Sequence, residues 1–200
     1  MPISTRQMIR HFLSGPILAI LAVPALATLV PQVTLEQMAG EAQFVVHGKV
    51  TRKWSAWDSG GQMIWSHYQL QLEEALKGSP GNSLVVSEPG GIVGDQGISI
   101  AGTPEYDVGD EVVLLVWRTP LGYLRTSGWG QGKFTVSATK GSSTKTVHAS
   151  LRLPGVELFS GRQAKDPQRQ TTLPGSLDGL SLEEFKGRLK LLLSSAGAGR

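Results

Sequence analysis

Strand-like segments recur about every ten to fifteen residues through the middle of this 200-residue chain. Gly- and Ser-rich turns separate them, and no helical pattern intervenes. A parallel connection needs a crossover of a dozen or more residues, so strands this close must pair antiparallel. The segments are "QFVVHGKVTRKW", "MIWSHYQLQLEEALKG", "SLVVSEP", "EVVLLVW", "GYLRT", "GKFTVSAT" and "KTVHASLRL". In the first, Phe44, Val46 and Val50 point one way and Val45, His47 and Lys49 the other, the pattern of a half-buried strand. In the second, Tyr68, Leu70 and Leu72 share a face, so the two segments predict a long hairpin around the loop "SAWDSGGQ". "EVVLLVW", bounded by Gly109 and Pro120, is apolar throughout and fits a strand buried on both faces or set in a barrel wall. The 25 Gly and 11 Pro supply turns rather than a helical bundle. The expected fold is mainly β: a small antiparallel β-barrel or sandwich over residues 28–160.

A helix is expected on each side of these strands. In "TLEQMAGEA", Thr34 is a good N-cap and Gln37 completes a capping box, with Leu35, Met38 and Ala42 on one face. Residues 161–179, polar and Pro/Gly-bearing, read as a linker. A C-terminal amphipathic helix over 180–194 follows, capped by Ser181 with Glu184 three residues on. Leu182, Phe185, Leu189, Leu192 and Leu193 form its apolar face, opposite Lys186 and Lys190, and that face is expected to dock on the strands.

Residues 1–27 read as a secretory signal peptide. Arg6 and Arg10 precede an apolar run from Pro16 to Ala27, and Ala25-Leu26-Ala27 is a small-x-small cleavage site. Pro24 interrupts the run, which is short for a bilayer-spanning helix. The chain is therefore expected to be exported, to the periplasm or beyond, with no stable membrane insertion after cleavage before Thr28. It contains no Cys, so no disulfide supports it there. The formal charge of +3 loses Arg6 and Arg10 with the signal. What remains is near neutral and has no long basic cluster, which argues against nucleic-acid binding.

The stretch "EPGGIVGDQGISIAG" asks whether glycines here hold a phosphate. A dinucleotide loop needs G-x-G-x-x-G opening a helix, and a Walker loop needs Lys and Ser or Thr after its last Gly. Neither pattern is met, so Gly90, Gly91, Gly94 and Gly97 are expected to serve turns or bulges. "SATK" and "SSTK" match S-x-x-K, but two overlapping matches in one Gly/Ser-rich stretch show how cheaply it arises. His47 and His67 are expected off the core face of neighbouring strands, as exposed residues on one side of the hairpin. No H-x-H or H-E-x-x-H pattern accompanies them, so no metal and no cofactor are expected. Glu73-Glu74 and Asp110-Glu111 are adjacent pairs, which alternation sends to opposite faces.

Trp54, Trp57 and Trp65 fall near the tip of the first hairpin. They read either as a plug at a barrel mouth or as a binding patch. The candidate ligand-binding residues are therefore Trp54, Trp57, Trp65, His47 and His67, with Gly91, Asp95 and Tyr106 as candidate loop contacts.

The order of motifs resembles the netrin-like domain, the family that includes the tissue inhibitors of metalloproteinases. The resembling motifs are Gly48-Lys49-Val50, Leu76-Lys77-Gly78 and the strand from Gly109 through Leu115, within roughly residues 34–138. The arrangement is also similar to exported bacterial proteins that begin with a helix like Thr34–Met38. The resemblance implies a five-stranded OB-type barrel. Its inhibitors grip a catalytic zinc through an N-terminal Cys, which this chain lacks, so function does not carry over directly. The expected role is non-enzymatic recognition of a protein or polysaccharide partner. The alternatives are inhibition of a secreted metalloprotease and, behind it, a hydrolase.

Overall fold

The computed structural model describes residues 28–138, 141, 144–149, 156–159 and 177–197. The expected signal peptide and most of the expected linker lie outside the described residues. The chain is mainly β, with one helix before the main sheet and one after it. In order, the elements are β1 (Thr28–Pro31), α1 (Leu35–Glu41), β2 (Phe44–Trp57), β3 (Ile64–Lys77), β4 (Ser83–Pro89), β5 (Gly91–Val93), β6 (Gln96–Ile98), β7 (Glu111–Arg118) and β8 (Leu124–Thr126). A 3₁₀ turn (Trp129–Gly132), β9 (Lys133–Ala138), β10 (Lys145–Ala149), β11 (Val156–Phe159) and α2 (Leu182–Gly197) complete them. The main sheet runs β10-β9-β7-β2-β3-β4, antiparallel throughout, and β8 pairs with the end of β7. β1 and β11 form a separate parallel pair that the strand rhythm did not anticipate.

The sheet carries a core on each face. On its concave side Val46, Val50, Tyr68, Leu70, Val86, Tyr106, Val112, Leu114 and Val116 pack together. On its convex side Val45, Val113, Leu115, Phe134 and Val147 pack against Leu35, Met38 and Ala39 of α1 and Leu182, Phe185 and Leu189 of α2. The apolar run of β7 is buried on both faces, as its sequence predicts. The expectation of a half-buried β2 is corrected: Val45, Val46, His47 and Val50 are all buried, because the helices cover the second face.

Both helices start where their caps place them. Thr34 and Gln37 form the capping box of α1, and Ser181 and Glu184 exchange the equivalent bonds before α2. The Phe134 and Phe185 rings meet at 4.7 Å, so α2 docks on its own sheet. Lys186 is buried rather than solvent-facing, since its ammonium reaches Glu74 of β3 at 3.0 Å. No described helix is long and apolar enough to cross a membrane.

The sheet does not close into the expected barrel. No backbone ladder joins β4 to β8 among the described residues. Instead the Glu88 carboxylate, fully buried at the end of β4, accepts the backbone N–H of Thr126 at 2.7 Å and Nε of Arg125 at 3.2 Å. One side chain thus bridges the seam that a ladder closes in a barrel.

Candidate functional site

The β2–β3 hairpin presents three arrangements of polar and aromatic side chains. The first lies on the convex face of its distal half, beyond the helices. Trp54 pairs across the strands with His67, and Ala56 with Trp65, so these side chains share a face. The Trp54 and His67 rings stack at 5.2 Å. Tyr123, from the β7–β8 loop, stacks on Trp65 at 4.3 Å and lies 6.2 Å from His67. The Arg52 guanidinium sits over Trp54 at 5.0 Å. Arg52, Trp54, His67, Tyr123 and Trp65 thus form a continuous row, exposed at the Arg52 end and buried at Trp65. Nδ1 of His67 lies 2.8 Å from the Ser87 hydroxyl, and burial holds its pKa below the ordinary value. At neutral pH this is an uncharged ring in a stack.

The second arrangement lies on the concave face of the same half. β5 and β6 fold the glycine-rich stretch into a small hairpin, which forms a flap beside a cleft of about 510 Å³. Lys53, Ser55, Ser66, Tyr68, Thr103 and Glu105 contribute polar lining. Gly90, Gly91 and Gly94 have positive φ, as the turn reading expects. Gly91 matters most: at φ +136° a Cβ would stand 2.5 Å from Oγ of Ser66 and 2.6 Å from Oγ of Ser55. The flap lies on those two hydroxyls, which are 3.2 Å apart, while Ser66 donates to the Gly90 carbonyl. The glycines therefore shape a β-hairpin against serines rather than a phosphate loop at a helix start.

The third arrangement lies under α2, on the convex face of the proximal half. Nε2 of His47 is 2.8 Å from Oε1 of Glu111, and Nδ1 is 3.5 Å from Oε2 of Glu73. Lys145 bonds both oxygens of Glu111, at 2.7 and 2.9 Å. Burial pushes the Glu111 pKa up, but the Lys145 and His47 bonds outweigh it and hold the carboxyl below its ordinary value. Ligand atoms of His47, Glu73 and Glu111 all lie within 4.8 Å of one another, a spacing that suits a cation. The register explains why they meet. Two shifts in the β2–β3 ladder leave Leu76 and Glu73 as extra residues on β3. At a bulge alternation fails, so Glu73 and Glu74 both serve the helix side, Glu73 toward His47 and Glu74 toward Lys186 and Lys190. The expectation that adjacent carboxylates diverge is corrected there.

The structure separates the predicted residues into these groups. Trp54, Trp65 and His67 come together. Trp57 pairs with Ile64 and takes the concave face, 37% exposed. His47 and His67 are not neighbours: they lie in opposite halves of the hairpin, and His47 is 2% exposed rather than an exposed strand histidine. Gly91 lines the cleft, and Asp95 sits exposed at the flap's turn. Tyr106 is corrected from loop contact to core: it is 1% exposed, its hydroxyl bonds Thr126, and its ring meets Tyr68 at 4.7 Å. Sequence reasoning did not find Tyr123, which lies in a turn with no pattern of its own, or Glu73, whose bulge leaves no local sign.

No family model matches this chain, and no curated protein or solved structure matches it. The likeness to netrin-like domains rests on its quoted motifs alone.

Proposed function

We propose that this chain is an exported, non-enzymatic binding module that recognises a glycan or a protein in the cell envelope or outside the cell. The aromatic row from Arg52 to Trp65 carries the reading. It spans β2, β3 and the β7–β8 loop, so the sheet holds its rings in place before any ligand arrives, which lowers the ordering cost of binding. Of the two ligand classes the row favours a glycan. Partly exposed rings offer flat apolar surface to the C–H faces of pyranose units. The Arg52 guanidinium and the Tyr123 hydroxyl supply hydrogen-bonding groups along the same row. The cleft beneath the flap supports a binding rather than a catalytic role, because the Ser55 and Ser66 hydroxyls bond one another and a carbonyl, and no histidine or carboxylate among the described residues bonds either.

Tryptophan fluorescence titrated with a panel of envelope and extracellular polysaccharides tests the reading. At least one polysaccharide is expected to shift the emission of the full chain, and Trp54→Ala is expected to abolish the shift. An unresponsive panel, together with capture of an envelope protein that survives Trp54→Ala, rejects the aromatic row as the binding surface.

A further inference from the structure

We propose that His47 and Glu73 form a divalent transition-metal site, matched to Zn²⁺, in the cleft beneath the start of α2. This site is separate from the aromatic row and stands whether or not that row binds a glycan. His47 is 2% exposed and its Nδ1 has no hydrogen-bond partner. A buried polar atom without a partner is costly, and each such atom calls for a cause. The other ring nitrogen is occupied: Nε2 faces Oε1 of Glu111 at 2.8 Å. Both Glu111 oxygens already accept from the Lys145 ammonium, so that carboxylate also accepts from the ring and Nε2 carries the shared proton. With the shared proton on Nε2, the unpartnered Nδ1 faces Oε2 of Glu73, 3.5 Å away. A separation of 3.5 Å is too long for a good N–H···O bond, so a proton bridges these two atoms poorly and a metal ion between them satisfies both.

The gap has the right size for one. Zinc bonds of about 2.1 Å to a nitrogen and an oxygen, spanning the observed 3.5 Å, subtend an angle of about 110°, which is tetrahedral. The Glu111–His47–cation order also matches the carboxylate–histidine–zinc arrangement, in which the carboxylate sets tautomer and ring orientation. The ion pairs of the neighbouring carboxylates leave Glu73 the least engaged of them. Glu111 has Lys145, and Glu74 has Lys186 and Lys190. Glu73 makes no direct lysine ion pair among the described residues, feels Lys145 only at longer range, and lines the cleft of about 450 Å³ together with His47, Lys145 and Lys186. Water entering that cleft completes the coordination. A nitrogen–oxygen ligand pair suits a borderline metal better than Ca²⁺ or Mg²⁺, which take oxygen sets.

The test is competition between the full chain and a chromogenic indicator for zinc chloride at pH 7.5. One zinc per chain is expected, with an X-ray absorption shell that contains a single imidazole. Glu73→Gln, at a half-exposed position that leaves folding intact, is expected to remove stoichiometric uptake, as is His47→Gln. Glu111→Gln is expected to weaken affinity about 10–100-fold through the ring it orients, whereas His67→Gln and His148→Gln leave it unchanged. The proposal is overturned by absence of one-to-one uptake, by uptake that Glu73→Gln does not alter, or by uptake that follows His148, whose ring is exposed beside Asp178.

Discussion

The two halves of the β2–β3 hairpin share strands, pairing and alternation, yet they have different fates. In the proximal half α1 and α2 cover the convex face, so Val45 and His47 are as deeply buried as Val46 and Val50 on the concave side. In the distal half no described helix covers that face, and a row of rings takes its place. The concave side of the distal half is finished by the glycine flap and by Glu88 at the seam. The same strand pattern thus serves as core where a helix docks and as a presented surface where none does. The difference lies in what lands on the sheet, not in the strands.

Removing the helix cover is the most severe way to break this contrast. Phe185 is fully buried against Phe134, so Phe185→Ala is expected to cost about 3–5 kcal/mol. Chemical denaturation measures the loss. Hydrogen exchange is expected to accelerate at residues 44–49 before residues 64–69, and equal acceleration of both halves would show that the cover acts globally.

Glu88 sharpens the contrast through pH. Burial raises its pKa from 4.5 to about 7, against the pull of the Thr126 N–H and Arg125. A folded-state value above the unfolded one means the folded chain holds the proton more tightly. This contribution is full below pH 4.5 and is lost as pH rises through 7, a swing of roughly 3 kcal/mol. Urea unfolding at pH 5 and pH 8 is expected to show that decline, and Glu88→Gln is expected to flatten it. A decline that persists in Glu88→Gln assigns it to another group.

Gly91→Ala tests the flap separately. Its Cβ would collide with two serine hydroxyls at a positive φ, at a cost of about 1–3 kcal/mol. Amide protection is expected to fall across residues 90–100, while the fluorescence response of the aromatic row persists. Loss of both together would show that the two faces act as one unit. The smallest effect on stability is expected from Trp54→Ala, about 0.5–1.5 kcal/mol from the lost stack on His67. Its effect on polysaccharide binding is expected to be complete, and this divergence between stability and binding marks a surface built for a ligand.

Much of the architecture is legible in the sequence because its causes are local. Thr34 with Gln37 and Ser181 with Glu184 announce two helix starts through groups three residues apart. The apolar run of β7 announces an interior strand, which the structure buries on both faces. Gly90, Gly91 and Gly94 announce turns by the φ that only glycine adopts freely. Of the aromatic row, Trp54, Trp65 and His67 are legible as hairpin-tip residues, but Tyr123 comes from a distant loop and joins them only in space.

What the sequence determined by itself is the set of elements and their antiparallel habit, since caps, turns and alternation act over a few residues. Tertiary structure alone decided three further matters. It set the burial of the second face of β2, because that depends partly on a helix more than a hundred residues away along the chain. It set the bulge that turns Glu73 toward His47, because register is a property of two strands rather than one. And it set how the sheet ends, with Glu88 reaching across an open seam, because a carboxylate is buried there only where another strand brings an N–H and a guanidinium to meet it.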